Sequence, residues 1–436
     1  MDCSLQPSTS PCDQINTNIL IIGNGPAGLS LSAFLSGWVP FYDPSRPHPD
    51  PLIHQKLLER MDESLLDQGL NWLSEIPEMY TSDLRPISLL YDTLVRPNAD
   101  RGHLRRSCIR WEHDPCRTIP HLIVGESPPG GSWNEYDDKM LALSVASYLD
   151  LPAYSFADWL GKDPHFLRPT AALVCKYMLA YTKAIGIRKN ILRSMKITQV
   201  TKCGSKSTGT EFWQVRGVSD SGNTVMLTCH KLVLACGMNH FRMLNVDGEI
   251  DVKNIVYDVV NLRRMISSFP RDQKIRVVVV GDGISAADAV LHCLNRRIPV
   301  VQISRRTEKQ LRYVRLSRLS SSLYAEYAHV YRLMIGRATD RLYSLVTNAS
   351  LASLSHGIIT FNVGSIMKME SFDVLCIAIG RKSDLSMMDD VYKFEDYECI
   401  SDRSLFCVGS FAGDKLVRHI IGGCLYVARL LVSATT

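Results

Sequence analysis

Two stretches of the chain share one order of apolar and polar positions. In the first, a largely apolar, β-branched run from Asn18 to Ile22 meets Gly23-Asn24-Gly25-Pro26-Ala27-Gly28, and apolar positions then recur at Leu29, Leu31, Ala33 and Phe34. In the second, Ile275 to Val280 ends in four valines and leads into Gly281-Asp282-Gly283-Ile284-Ser285-Ala286-Ala287-Asp288. A continuous apolar run closed by glycine predicts a buried parallel strand, and the spacing beyond the glycines predicts a helix. Each stretch is therefore expected to be strand, glycine loop, helix.

That order carries a specific chemistry. Gly23 would make the tight turn, Gly25 would let the backbone approach a diphosphate, and Gly28 would let the helix pack closely on the strand. Pro26 stands beside them at the start of the helix, whose free N–H groups and partial positive charge suit an anion. In the second loop Gly281, Gly283 and Ser285 take these places, and Ala286 replaces the third glycine with a methyl that the packing tolerates.

The acidic residue expected at the adenosine ribose is harder to place. Asp43 lies 20 positions after Gly23, but the Trp38–Tyr42 stretch before it is short for a strand and contains Pro40, so Asp43 is read as a loop aspartate. After the second loop, Val300 to Ile303 ends in Ser304-Arg305-Arg306. Guanidinium forks at that point match a 2′-phosphate and favour NADP over NAD; the alternative is a solvated basic surface, because Arg296 to Arg318 is rich in arginine. Two dinucleotide loops in one chain imply a bound flavin, FAD, and a nicotinamide, NADPH, that delivers hydride to it.

Composition narrows the class further. With 436 residues, 46% apolar and 21% charged, the chain is long enough for two globular domains. A net charge of +5 leans toward phosphates without suggesting a nucleic-acid binder. Thirteen cysteines without a Cys-x-x-Cys suggest neither a disulfide framework nor a zinc site. No run approaches eighteen apolar residues, and the first eighteen residues resemble neither a secretory signal nor a transit peptide, so no transmembrane segment is expected and a cytoplasmic location is.

With these residues in hand, the chain resembles the flavin-dependent monooxygenase superfamily, and within it the oxidative stress-induced growth inhibitor family, from about Asn18 onward. Pro129-Gly130-Gly131-Ser132-Trp133 resembles the Gly-Gly-x-Trp segment that contacts the flavin, which implies roles for Gly130, Gly131 and Trp133. Lys231 to Gly237 and Asp373 to Gly380 resemble the two strands that link the domains, with Cys236 and Ile379 where threonine is usual. Leu405 to Gly409, Gly413-Asp414 and Gly422-Gly423 resemble the final flavin segment, which implies that Gly409 and Asp414 lie near the flavin and its ribityl hydroxyls. Leu143 to Leu160 is similar to the segment that follows in amine N-hydroxylases.

The expected fold is α/β, with two Rossmann-like dinucleotide-binding domains. A discontinuous FAD domain spans residues 15–240 and 372–436, and the NADPH domain, 241–371, is inserted into it. A helical insert occupies about 44–127. Within it Pro51 to Leu73 has helical spacing, while Cys108 to His113 and Ile119 to Val124 suggest a hairpin.

The resemblance implies an NADPH-dependent monooxygenase that passes one atom of molecular oxygen to a small-molecule or protein substrate and that acts in growth, differentiation or cell-death regulation. It demands no nucleophile triad, and the scattered His48, His54, His121 and His419 are read as surface or core residues. Two alternatives stand beside it. One is an NADPH oxidase-like flavoprotein that releases peroxide; the other is a non-catalytic growth regulator that keeps the fold. A disulfide reductase would need a redox cysteine pair that the sequence does not display.

Overall fold

The computed structural model describes residues 13–433, except 77–83, 100, 101, 103, 104, 165, 193, 205–210 and 271. The chain forms two compact units, one running through Asn239 and resuming at Ser383, the other His240–Lys382. Both are Rossmann-like α/β units, the second inserted in the first. The return falls at 382/383 rather than at 371/372 because the strand Val374–Ile377 pairs inside the second unit, between Val277–Val280 and Ile255–Val256.

In the first unit the strand Asp13–Ile22 lies at the centre of the largest sheet among the described residues. It pairs in parallel with Thr224–Leu234 on one side and His121–Val124 on the other. Leu405–Cys407 and Ile191–Leu192 extend the parallel core outward. Ile19, Leu20 and Ile21 are buried, as a strand covered on both faces requires.

The insert differs from its expected form. Cys108 to His113 does not fold back on Ile119 to Val124. Instead Ile109–His113 pairs antiparallel with Trp38–Tyr42, which is a strand despite Pro40, and His121–Val124 joins the central sheet. A two-stranded ribbon leaves one edge free of the ladder, and such an edge accommodates proline. The helical insert thus ends before His121. Its helical spacing resolves into Pro51–Leu58 and a short 3₁₀ turn, Asn71–Glu75, rather than one long element.

A second helix of the insert, Pro86–Val95, buries Ile87, Leu90, Tyr91 and Leu94, one apolar stripe at helical spacing, against the C-terminal helix Val417–Ser433. The contact is close: a Cβ at Gly422 would stand 2.5 Å from the Cα of Ser88. Buried Asp92 accepts from Arg96 at 2.7 Å and from Arg418 of the C-terminal helix at 2.9 Å, so the charges on the two helices neutralise one another out of water.

The second unit holds a five-stranded, fully parallel sheet in the order Ile255–Val256, Val374–Ile377, Val277–Val280, Val300–Ile303, Tyr343–Val346. Beside it lies a three-stranded antiparallel sheet, Ala349–Ser355, Ile358–Val363 and Ile366–Ser371. Among the described residues no helix is long and apolar enough to cross a membrane.

Candidate functional site

Each glycine elbow sits at the carboxyl end of a central parallel strand, and the two are built alike. Gly23 N donates to Val124 O at 2.8 Å, and Gly281 N to Ile303 O at 2.9 Å. Both glycines have φ in the left-handed half of the map, +119° and +133°, and a Cβ on either would strike a backbone carbonyl, Ala235 O at 2.3 Å or Ala378 O at 2.4 Å. Only glycine fits either position.

The helices begin at Pro26 and Ile284, capped by Gly25 (φ −76°, ψ −174°) and Gly283 (φ −91°, ψ −171°) with no side-chain cap bond. Their first-turn N–H groups are therefore not taken up by a capping side chain. A Cβ at Gly28 would lie 2.0 Å from Gly23 O, so the first helix packs as tightly as the glycine spacing implied. Ala286 is fully buried at the matching place in the second.

The strand beside each glycine strand shows the same correspondence. Val124 pairs with Ile22, and Ile303 with Val280. Two residues beyond them come Glu126 and Arg305, equivalent positions and both exposed. The second loop residue is also tied alike in both units. Asn24 Nδ2 donates to Ser127 O at 2.5 Å, while Asp282 accepts from Ser304 Oγ at 2.6 Å and from Arg306 Nε at 3.2 Å.

Sequence reasoning missed Glu126. The 20-residue separation counted from Gly23 lands on Asp43, which the sequence reads as a loop aspartate and which follows the ribbon strand Trp38–Tyr42, outside the central sheet. Asp43 is held by Ser45 Oγ at 2.6 Å and Arg46 Nε at 3.1 Å, and these hydrogen bonds, led by Ser45, keep its carboxyl below the usual range. The signal that would have found Glu126 is its place between an apolar run and Gly130-Gly131.

The Gly-Gly-x-Trp segment comes back onto the first elbow. Gly130 N donates to Asn24 O at 2.9 Å, and a Cβ at Gly131 would stand 3.0 Å from Gly25 Cα. Trp133, in the 3₁₀ turn Gly131–Glu135, is half-buried and meets Tyr136 edge to face at 5.6 Å. Gly409 also returns to this elbow: a Cβ there would lie 2.7 Å from that of Ala27.

Asp414 is 2% exposed, and its carboxylate is engaged by protein groups. Tyr397 OH donates to it at 3.0 Å and Arg85 Nη1 at 3.4 Å, while the Arg85 guanidinium lies 4.2 Å over the Tyr397 ring. Burial pushes the Asp414 carboxyl up to about 6 against the pull of Tyr397 and Arg85. Its side chain braces the turn that leads from Gly409 into the C-terminal helix, and its N–H donates to Gly409 O at 3.1 Å. No local signal points to Arg85 or Tyr397 beside Asp414, since Arg85 lies 329 positions from Asp414 along the chain.

In the second unit the two arginines separate. Arg306 is held by Asp282, whereas Arg305 is exposed at the end of its strand. Cysteine chemistry is not prepared near the first elbow: burial pushes the Cys236 thiol up to about 11 and Cys407 up to about 12, opposite to an activated thiolate. Among the described residues no group of His, Cys, Asp and Glu forms a metal site.

No protein-family model matches the chain. It is 40% identical to the oxidative stress induced growth inhibitor homolog of Caenorhabditis elegans, with 97% of this chain and 95% of that protein covered. It is 29% identical to oxidative stress-induced growth inhibitor 2 of Homo sapiens, covering 95% and 93%. Among solved structures, bacillithiol disulfide reductase from Bacillus cereus superposes with a TM-score of 0.60 at 14% identity, covering 97% of this chain and all of that one. Ornithine hydroxylase from Pseudomonas aeruginosa gives 0.57 at 12%, covering 96% and 98%. These likenesses are of fold.

Proposed function

Because the chain belongs to the oxidative stress-induced growth inhibitor family, and because its two elbows are equivalent in backbone yet opposite in charge, we propose that it is an FAD- and NADPH-dependent monooxygenase. The observation that carries this reading is the pairing of Glu126 with Arg305 at matching positions. A carboxylate accepts from two ribose hydroxyls, as the adenosine of FAD would offer; a guanidinium donates to the 2′-phosphate found on NADPH and absent from NADH.

The residues present fit both groups. Gly23, Gly25, Pro26 and Gly28 form the first diphosphate turn, and the N–H groups of Ala27 and Gly28 would hold the anion. The backbone at Gly130 and Gly131 comes up against Gly25, which suits a segment that must approach a flat ring without side chains intervening, with Trp133 flanking it. In the second unit Gly281 and Gly283 leave the N–H groups of Ile284 and Ser285 to the other diphosphate. Arg306 keeps the loop in shape by holding Asp282. Asp414 acts as a positioning residue for Gly409 and for the C-terminal helix, whose positive end favours negative charge on a reduced ring.

When bound, the flavin accepts hydride from the nicotinamide and activates oxygen. The protein's part is then to bind, orient and keep water out. The raised thiols of Cys236 and Cys407 favour this reading over thiol–disulfide exchange.

The test is an anaerobic spectral titration of the purified protein with NADPH and separately with NADH, followed by admission of oxygen. Flavin absorbance bleached by NADPH at lower concentration than by NADH is expected. Oxygen uptake with substoichiometric peroxide in the presence of an acceptor would mark a monooxygenase, and stoichiometric peroxide with every acceptor an oxidase. A preparation that stays colourless after FAD is added would overturn the redox reading and leave a regulator that only retains the fold.

A further inference from the structure

The antiparallel sheet of the second unit ends in an open edge whose chemistry is self-complementary. Ile366–Ser371 pairs only with Ile358–Val363 among the described residues, in the register Val363↔Ile366, Phe361↔Lys368 and Ile359↔Glu370. The connection is a two-residue turn, Gly364-Ser365, with Gly364 at φ +64° as the first residue of such a turn often requires. A two-residue turn makes Val363 and Ile366 a hydrogen-bonded pair, so the even-numbered residues of the last strand bond inward. Phe372 N donating to Gly357 O at 2.8 Å has the same phase. The backbone N–H and C=O groups of Met367, Met369 and Ser371 therefore face outward, toward a missing strand.

The side chains along this edge are unusual for a free one. Ile366, Met367 and Met369 are 62%, 68% and 67% exposed, and Ile358 on the neighbouring strand adds a fourth exposed apolar group. Natural edge strands are usually shielded by charge, proline or a bulge. Here the charges alternate in sign: Lys368 is exposed, and Glu370 is held from behind by Arg276 at 2.6 Å.

We propose that this edge pairs with the same edge of a second copy of the chain, in an antiparallel ladder about a two-fold axis through Met369. In that register Met369 faces its own counterpart as a hydrogen-bonded pair, and Met367 faces Ser371. Lys368 then faces Glu370 of the other copy, twice over, at the non-hydrogen-bonded positions where side chains come closest. The register that satisfies the backbone is also the one that pairs opposite charges and lays the two methionine strips side by side on one face of the joined sheet. An isologous contact of this kind closes at two copies. The pairing is independent of cofactor and of the redox reading.

The test is sedimentation velocity of the full chain from about 1 to about 100 μM, where a small interface associates. Wild type is expected to shift to dimer within that range. Lys368→Glu and Glu370→Lys, each alone, place like charges opposite one another twice, and each is expected to weaken association about tenfold or more. Mixed in equal amounts the two variants restore both charge pairs, and the mixture should recover the wild-type association constant. Met369→Pro removes only an outward N–H and should abolish the dimer while leaving the melting temperature unchanged at concentrations where the wild type is monomeric. A monomeric wild type overturns the proposal, as does a mixture that associates no better than its components.

Discussion

The guanidinium of Arg306 donates to the carboxylate of Asp282 across 3.2 Å, binding the end of one strand to the glycine loop of its neighbour. Its neighbour Arg305, one residue earlier, is exposed. The two arginines, indistinguishable in sequence, therefore have separable effects. Arg305→Ala should weaken NADPH binding about tenfold to a hundredfold and leave NADH nearly unchanged. Arg306→Ala should weaken both coenzymes, because it releases the loop. Titration of each variant with both coenzymes checks this; equal loss of NADH and NADPH in the Arg305 variant would refute it.

The glycines of the elbows divide in the same way between fold and ligand. Gly28→Ala drives a methyl into Gly23 O at 2.0 Å and should destabilise the protein by more than about 3 kcal/mol. Gly283→Ala meets nothing within 4 Å at an ordinary φ, so its melting temperature should stay within about 2 °C of wild type. NADPH binding should nonetheless fall at least about tenfold, since the methyl stands where backbone must approach a diphosphate. Thermal melts beside coenzyme titrations distinguish the two.

Glu126→Ala should lower FAD affinity about tenfold to a hundredfold, measured as flavin retained on gel filtration or as a Kd for the apoprotein. Asp43→Asn should leave that affinity within about threefold of wild type. If the Asp43 variant lost the flavin and the Glu126 variant kept it, the equivalence of the two units would fail.

His121 reports on the core of the first unit. Its Nδ1 lies 2.7 Å from Ile119 O and so carries the proton, leaving Nε2 to accept from Ser32 Oγ at 2.7 Å and Asn190 Nδ2 at 3.1 Å. Burial pushes its pKa down to about 4. Between about 6.5 and about 4 the unfolded chain takes up a proton that the folded one refuses, so stability is full above that window and falls as pH drops through it. The loss is on the order of 3 kcal/mol. Denaturant melts from pH 7 to 4.5 should show it, and His121→Gln should flatten that part of the profile. An unchanged slope in the variant would assign the pH dependence elsewhere.

The two elbows were legible because everything that makes them is local. A few valines and isoleucines, glycines at fixed offsets and a small-residue helix start lie within about a dozen residues, and steric rules confine such a segment to one shape. The family resemblance rested on further short segments of this local kind, from Pro129–Trp133 to Gly422-Gly423.

Pairing between distant segments was not legible. His121 sits opposite Ile19, and nothing in either short apolar run says that these strands are partners while Trp38–Tyr42 is not. That choice put Glu126, rather than Asp43, just beyond the strand beside the first elbow and turned an expected hairpin into two strands of different sheets. A separate pairing, with Val277–Val280 and Ile255–Val256, places Val374–Ile377 in the second unit.

The Arg85–Tyr397–Asp414 cluster has the same origin, since burial and charge bring these side chains together only after the insert helix and the C-terminal helix have packed. Local sterics and spacing determined, from sequence alone, where phosphates are expected to be gripped. Tertiary structure decided which strand stands beside each grip, because that selection is made by the burial of whole faces and not by any residue's near neighbours.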